Sequence, residues 1–181
     1  MPTILAVGPA TAVRVSVLTC VVLLAALLVP AVHEAQARAK QRWALATIDS
    51  VESEIIRSLN AIRGSQGLTL LRADGGLFDA ADEHSSEMLA AGQLTHDSPS
   101  GQRCDVRIRK HVRARAVGET ISWLAGTPAA QQAERTVTLW LNSPPHRATL
   151  LAPFFRRIGV SRQVGTMFGR TGVAFTADLA G

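Results

Sequence analysis

The sequence predicts an α+β domain in which helices pack against a small, largely antiparallel sheet. Three observations carry this. Apolar residues recur at helical spacing through the first two thirds of the chain, and short β-type apolar runs gather at its C-terminal end. No internal repeat or low-complexity linker divides the two regions, so helices and strands share one core.

The N-terminal segment stands apart from that fold. Val15 to Val32 is almost wholly apolar, follows Arg14 and runs into Ala35-Gln36-Ala37. A basic start, an apolar stretch and a small-x-small site are the marks of an export signal cleaved after Ala37. The apolar run is also long enough to serve as an uncleaved anchor. Cys20 lies mid-stretch after Val17-Leu18-Thr19, which is not a lipidation context. The expected organisation is therefore a signal peptide at 1–37, an extension and first-helix start at 38–50, and a domain at 51–181. The protein is expected to be secreted, or held at the cell envelope if the anchor persists. About 140 residues remain, enough for a single core. Cys104 is then the only cysteine left, so no disulfide forms within the mature chain. The expected state is a monomer, with a Cys104-linked dimer as the alternative.

The elements follow in order. Ile48, Val51, Ile55, Leu59 and Ile62 predict a helix from Leu45 to Arg63, stopped near Gly64, with a turn at Gly67. Leu77, Ala80, Ala81, His84 and Met88 form one stripe of a second helix over Gly76 to Ala91. A histidine on such a stripe is expected to be packed and bonded to nearby backbone. His96 follows that helix, ahead of the turn-forming Asp97-Ser98-Pro99-Ser100-Gly101, where a side chain can face a cleft. A third helix opens at Thr127-Pro128 and runs through Glu134 and Val137 towards Trp140. Ile158-Gly159-Val160 and Gly172-Val173-Ala174-Phe175-Thr176 read as two strands, separated by a turn around Gly165 to Gly169.

Charge narrows the partners. Positive charge exceeds negative by five, and all but two basic residues are arginines. They concentrate at Arg103, Arg107, Arg109, Lys110, Arg113 and Arg115, a run that is expected to be a solvated face. Tyrosine is absent and no aromatics interleave with the arginines, so nucleic acid is excluded as a partner. For an exported chain, an anionic envelope polymer, a lipid surface or a protein is the expected partner.

The segment Trp140-Leu-Asn-Ser-Pro-Pro-His-Arg147 places an imidazole and a guanidinium beside a double proline at a helix junction. Pro144 and Pro145 restrict the backbone that aims His146. Neutral imidazole binds metals and relays protons near neutral pH.

In order, Leu59-Asn60-x-x-Arg63, Gly67-Leu68-x-x-Leu71, Ala80-Ala81-x-x-His84-Ser85-x-x-Met88, Thr95-His96-x-Ser98-Pro99-x-Gly101, Gly118-Glu119, Trp140-x-Asn142-Ser143-Pro144-x-His146-Arg147 and Ile158-Gly159-Val160 resemble the bacterial branch of the CAP superfamily of cysteine-rich secretory, antigen 5 and pathogenesis-related proteins. The resemblance implies an α-β-α sandwich, a secreted or surface location, and a cleft where histidines and acidic residues hold a divalent metal, commonly zinc. The matching positions are His96, Glu119 and His146, with Asn142, Ser143 and Arg147 as cleft support. Two imidazoles and a carboxylate make a three-ligand shell, or Glu119 orients a histidine from behind. The chain departs from animal and plant members, which usually carry a second glutamate where Ser143 stands. It has Thr120 where that class has asparagine after Gly-Glu.

Three functional classes remain. The preferred one is a binding module whose cleft takes a divalent metal and a lipid or small apolar ligand. The enzymatic rival is a zinc-assisted hydrolase of peptide, ester or envelope polymer with Glu119 as its weak catalytic candidate, although no His-Glu-x-x-His or Gly-x-Ser-x-Gly segment supports it. Cys104 has arginines nearby that would lower its pKa, but no base is recognisable beside it. The third class is a structural or interaction protein without ligand chemistry.

Overall fold

The computed structural model describes residues 50–181. The expected signal segment, its cleavage or anchoring, the extension before Ser50 and the first-helix start at Leu45 lie outside the described residues. The chain divides after Ala39, and Lys40–Gly181 forms a compact unit of its own.

Helix α1 spans Ser50–Ser65 and buries Val51, Ile55 and Leu59 along the expected stripe. It continues through Gly64, and the reversal falls at Gly67, whose φ is 70°. After the short strand β1, Arg72–Ala73, helix α2 runs from Gly75 to Ala91. The Asp74 carboxylate accepts from the Gly76 and Leu77 amides at its start. Gly92, in the left-handed region, closes its end. Helix α3, Cys104–His111, occupies the arginine run that had no assigned element. Strand β2 covers Val117–Ala125 and helix α4 Ala129–Asn142. Pro128, not Thr127, is the α4 cap, and no side chain bonds the first-turn amides. Helix α5, Pro144–Leu150, follows after Ser143 alone. The double proline enforces this break, because proline offers no amide and fits the first turn of a new helix.

Strands β3, Arg157–Met167, and β4, Arg170–Ala180, are longer than the expected segments. Gly165 pairs with Gly172 inside the ladder, and the turn shrinks to Phe168 and Gly169. Both have positive φ, 54° and 71°, the signature of a two-residue type I′ hairpin. The glycines around position 165 were therefore misread as turn residues. For phenylalanine this left-handed conformation costs about 1–2 kcal/mol.

The sheet order is β1-β3-β4-β2, with β1 parallel to β3 and the other pairs antiparallel. Alternation along β4 sends its residues into two different cores. Val173, Phe175, Ala177 and Leu179 join α1, α4 and α5 residues in the larger cluster. Ala174 and Ala180, on the other face, pack with Met88 of α2 and with Leu77 and Ile108 of α2 and α3. The architecture is thus an α-β-α sandwich. Trp140 is fully buried in the larger layer. At Gly159 a Cβ would stand 2.1 Å from the backbone of Leu77 and Phe78, so α2 rests directly on the sheet there.

Two motif residues, Asn60 and Arg63, act on backbone. The Asn60 amide accepts from the Leu71 N–H and donates to its carbonyl. The buried Arg63 guanidinium donates to the carbonyls of Thr69, Leu150, Ala152 and Phe155. It thereby ties the end of α5, and with it the helix that carries His146, to α1.

Candidate functional site

Strand β2 lies at an edge of the sheet, paired only with β4. Helical layers from both faces come together along such an edge, and the candidate residues meet there. Glu119 projects from β2, His96 arrives on the α2–α3 loop, and His146 stands in the first turn of α5.

The His96 loop is clamped from both sides. His84 is buried on its stripe as expected, and its Nε2 donates to the Thr95 carbonyl at 2.7 Å. Arg107 Nη1 donates to the His96 carbonyl at 3.1 Å, and Ser98 Oγ donates to Glu87 Oε2 at 2.7 Å. Asp97 accepts from the Cys104 amide at the start of α3. With its backbone held at both neighbours, His96 presents a half-exposed ring.

That ring donates from Nδ1 to Glu119 Oε1 at 2.8 Å. An ionised carboxylate only accepts, so the proton sits on Nδ1 and the Nε2 lone pair is free. The other Glu119 oxygen accepts from Arg107 Nη2. Both partners of this pair are buried, a geometry in which each charge depends on the other. The rings of His96 and His146 lie 5.7 Å apart between centroids, inclined at 67°. Burial first, and the neighbouring His96 second, hold the His146 pKa below the usual histidine value, with Glu119 opposing. The lowered pKa favours the neutral ring, whose one unprotonated nitrogen can accept or bind a metal.

A second carboxyl lies behind Glu119. Asp178 faces it across the β2–β4 ladder and is completely buried. No donor reaches either of its oxygens. Burial foremost, then the Glu119 charge, raises its pKa well above the carboxylate range, against the pull of Arg107. Asp178 is thus biased towards its protonated form, next to Glu119.

The structure brings His96, Glu119 and His146 together as the sequence pattern anticipates. It does not gather the cleft-support residues equally: Asn142 and Arg147 are exposed, while Ser143 is the hinge between α4 and α5. Among the described residues no group of three or more histidine, cysteine, aspartate and glutamate side chains is disposed to hold a metal, since both Glu119 oxygens are already engaged. The arginine run is not wholly a solvated face either. Arg107 is buried, and the helical spacing of Cys104, Arg107, Ile108 and His111 was the signal for it. Asp178 was missed because the last strand was ended at Thr176; an acid within an apolar run marked it. The expectation for Cys104 is also corrected. Burial, followed by the Glu119 charge, pushes its thiol up, and Arg107 only partly opposes this.

The family model for the cysteine-rich secretory protein (CAP) family matches residues 56–176, from within α1 to within β4. This chain belongs to the CAP family. The CAP chain is 31% identical over 115 residues to the uncharacterized protein YkwD of Bacillus subtilis (strain 168), a match covering 63% of this chain and 43% of YkwD. It therefore spans less than half the length of that relative. Among solved structures, an SCP-domain extracellular protein of Bacillus anthracis is 28% identical, with a TM-score of 0.55 over 72% of this chain and 40% of that one. An outer surface protein of Borrelia burgdorferi shares the fold at 21% identity and a TM-score of 0.60, over 74% of this chain and 95% of that one. Among the described residues of the CAP chain, no helix is long and apolar enough to cross a membrane.

Proposed function

We propose that this CAP domain is an exported binding module in which His96 and His146 hold a divalent cation, zinc foremost, while Glu119 orients His96. The observation that carries the reading is the His96 ring, bonded through Nδ1 to Glu119 and facing His146 at 5.7 Å. Two imidazoles that share a zinc ion at Zn–N bonds of about 2.0–2.1 Å bring their centroids roughly 5–6 Å apart, so the donor pair fits the ion. A carboxylate behind a metal-binding histidine sets its tautomer and raises its basicity. Bound there, the ion would supply Lewis acidity and open positions for a ligand. The engagement of both Glu119 oxygens favours this holding role over that of a general base, so a hydrolase is not the preferred reading.

A groove of about 460 Å³ between α1 and α4, lined by Ile62, Ala133, Val137, Leu141, Ser58 and Glu54, supports a lipid or small apolar ligand as second cargo. An anionic envelope polymer remains the partner favoured by the arginine excess, and the extracellular nature of the Bacillus anthracis neighbour supports export.

The test is metal analysis of the Arg38–Gly181 chain after zinc exposure and dialysis. Close to one zinc per chain is expected, lost in the His96→Ala, His146→Ala double variant with the Tm of the metal-free protein little changed. Equal zinc in both proteins would sink the site.

A further inference from the structure

We propose that the β3–β4 hairpin tip is a membrane-contacting anchor, in which Phe168 inserts among the headgroups of an anionic lipid surface. Phe168 sits at the first central position of the turn with φ 54°. Asparagine, aspartate or glycine suits that position, and a bulky aromatic residue is an outlier there. Burial does not compensate, because Phe168 is 64% exposed and Val164, on the strand leading to it, is 59% exposed. Neither packing nor backbone preference accounts for an aromatic ring at this point, and such outliers are found at functional positions.

The chemistry around the ring selects the partner. Arg170 lies two residues on, past Gly169, and is exposed, and the whole chain carries a formal charge of +5. One apolar ring at the tip and one valine on the strand leading to it fall far below the roughly 1,000 Å² of a stable protein interface. A protruding aromatic ring with a basic residue beside it suits the boundary between headgroups and acyl chains. The tip lies at the far end of the sheet from the histidine pair. Eight residue steps of β4 separate Arg170 from Asp178, the partner of Glu119, or about 27 Å along the strand. A domain seated on lipid through this tip leaves its histidine site facing away from the membrane. The inference stands independently of metal binding.

Vesicle sedimentation of the Arg38–Gly181 chain tests it, using phosphatidylglycerol-containing and pure phosphatidylcholine vesicles. The wild type is expected to sediment with the anionic vesicles, less at high salt, and weakly with the neutral ones. Phe168→Asn should lower partitioning on the order of ten-fold. The same change should raise Tm by about 2–4 °C, because asparagine tolerates the left-handed turn. Arg170→Gln should lower partitioning about five-fold. Opposite signs for stability and binding separate a lipid anchor from a structural residue. Sedimentation of Phe168→Asn equal to wild type overturns the proposal. So does failure of the wild type to bind anionic vesicles, including the case in which Phe168→Asn abolishes a dimer instead.

Discussion

Around Glu119, single side chains decide the electrostatics. Its carboxylate is buried, and Arg107 and His96 each donate to one of its oxygens. Asp178 shows the opposite fate of a carboxyl in the same place. No donor reaches its oxygens, and burial foremost, with the Glu119 charge beside it, raises its pKa. A raised folded-state pKa means that the stability linked to this group is complete below the unfolded value of about 3.9 and is lost as pH rises through the folded one. Asp178→Asn carries a neutral donor into the same position without the titration. Thermal melts should show a higher Tm than wild type at pH 7–8, with the difference narrowing towards pH 4. A variant less stable than wild type across that range would mean that Asp178 is charged and paired. Residue identity was legible at His96 and His146, whose types and settings mark them as donors, and at Glu119 through the family resemblance. It was not legible at Arg107 or Asp178, where the same residue types usually face water and only burial makes them part of the site.

At the scale of elements, periodicity carried the helices well. The α1 and α2 stripes emerge with the expected residues inward, because a stripe of apolar residues has one stable use, against the core. The hairpin was less legible. Gly165, Gly169 and Gly172 look alike in sequence, yet only Gly169 has positive φ. Gly165 instead lies in the ladder, where a Cβ would press on Leu89. Glycine serves both conformational freedom and close approach, and local sequence does not distinguish them. Gly159 is the clearest close approach. Its missing side chain lets the first turn of α2 touch β3, and the atoms that a methyl group would meet are backbone, which cannot swing aside. Gly159→Ala is therefore expected to destabilise the domain by about 3 kcal/mol or more, at the upper end of overpacking costs. Denaturant midpoints measure this, and a loss below about 1 kcal/mol would show that α2 can lift off the sheet cheaply.

For the whole molecule, the sandwich brings Cys104 half inside, beside the charge of Glu119. Its thiol is held in the protonated form and is partly covered, so it attacks disulfides slowly. The Arg38–Gly181 chain is expected to run as a monomer in non-reducing electrophoresis after days in air. A dominant disulfide-linked dimer would contradict that burial. Assembly of the layers also sets the separation between the histidine site and the Phe168 tip, since β4 leads away from the tip and pairs with the β2 that carries Glu119.

By itself the sequence determined the fold class, three of the helices and the cores of the two long strands, the helix break at the double proline and, through the resemblance, the three side chains that converge at the sheet edge. These depend on local pattern and on a resemblance distributed along the chain. Only the tertiary structure decided which arginine is buried, which carboxyl is paired and which is not, and that Glu119 backs a histidine. Such questions turn on the register of β2 against β4 and on the seating of α3 over it. Charge states in a low-dielectric interior are set by neighbours across those contacts, whatever their distance in sequence.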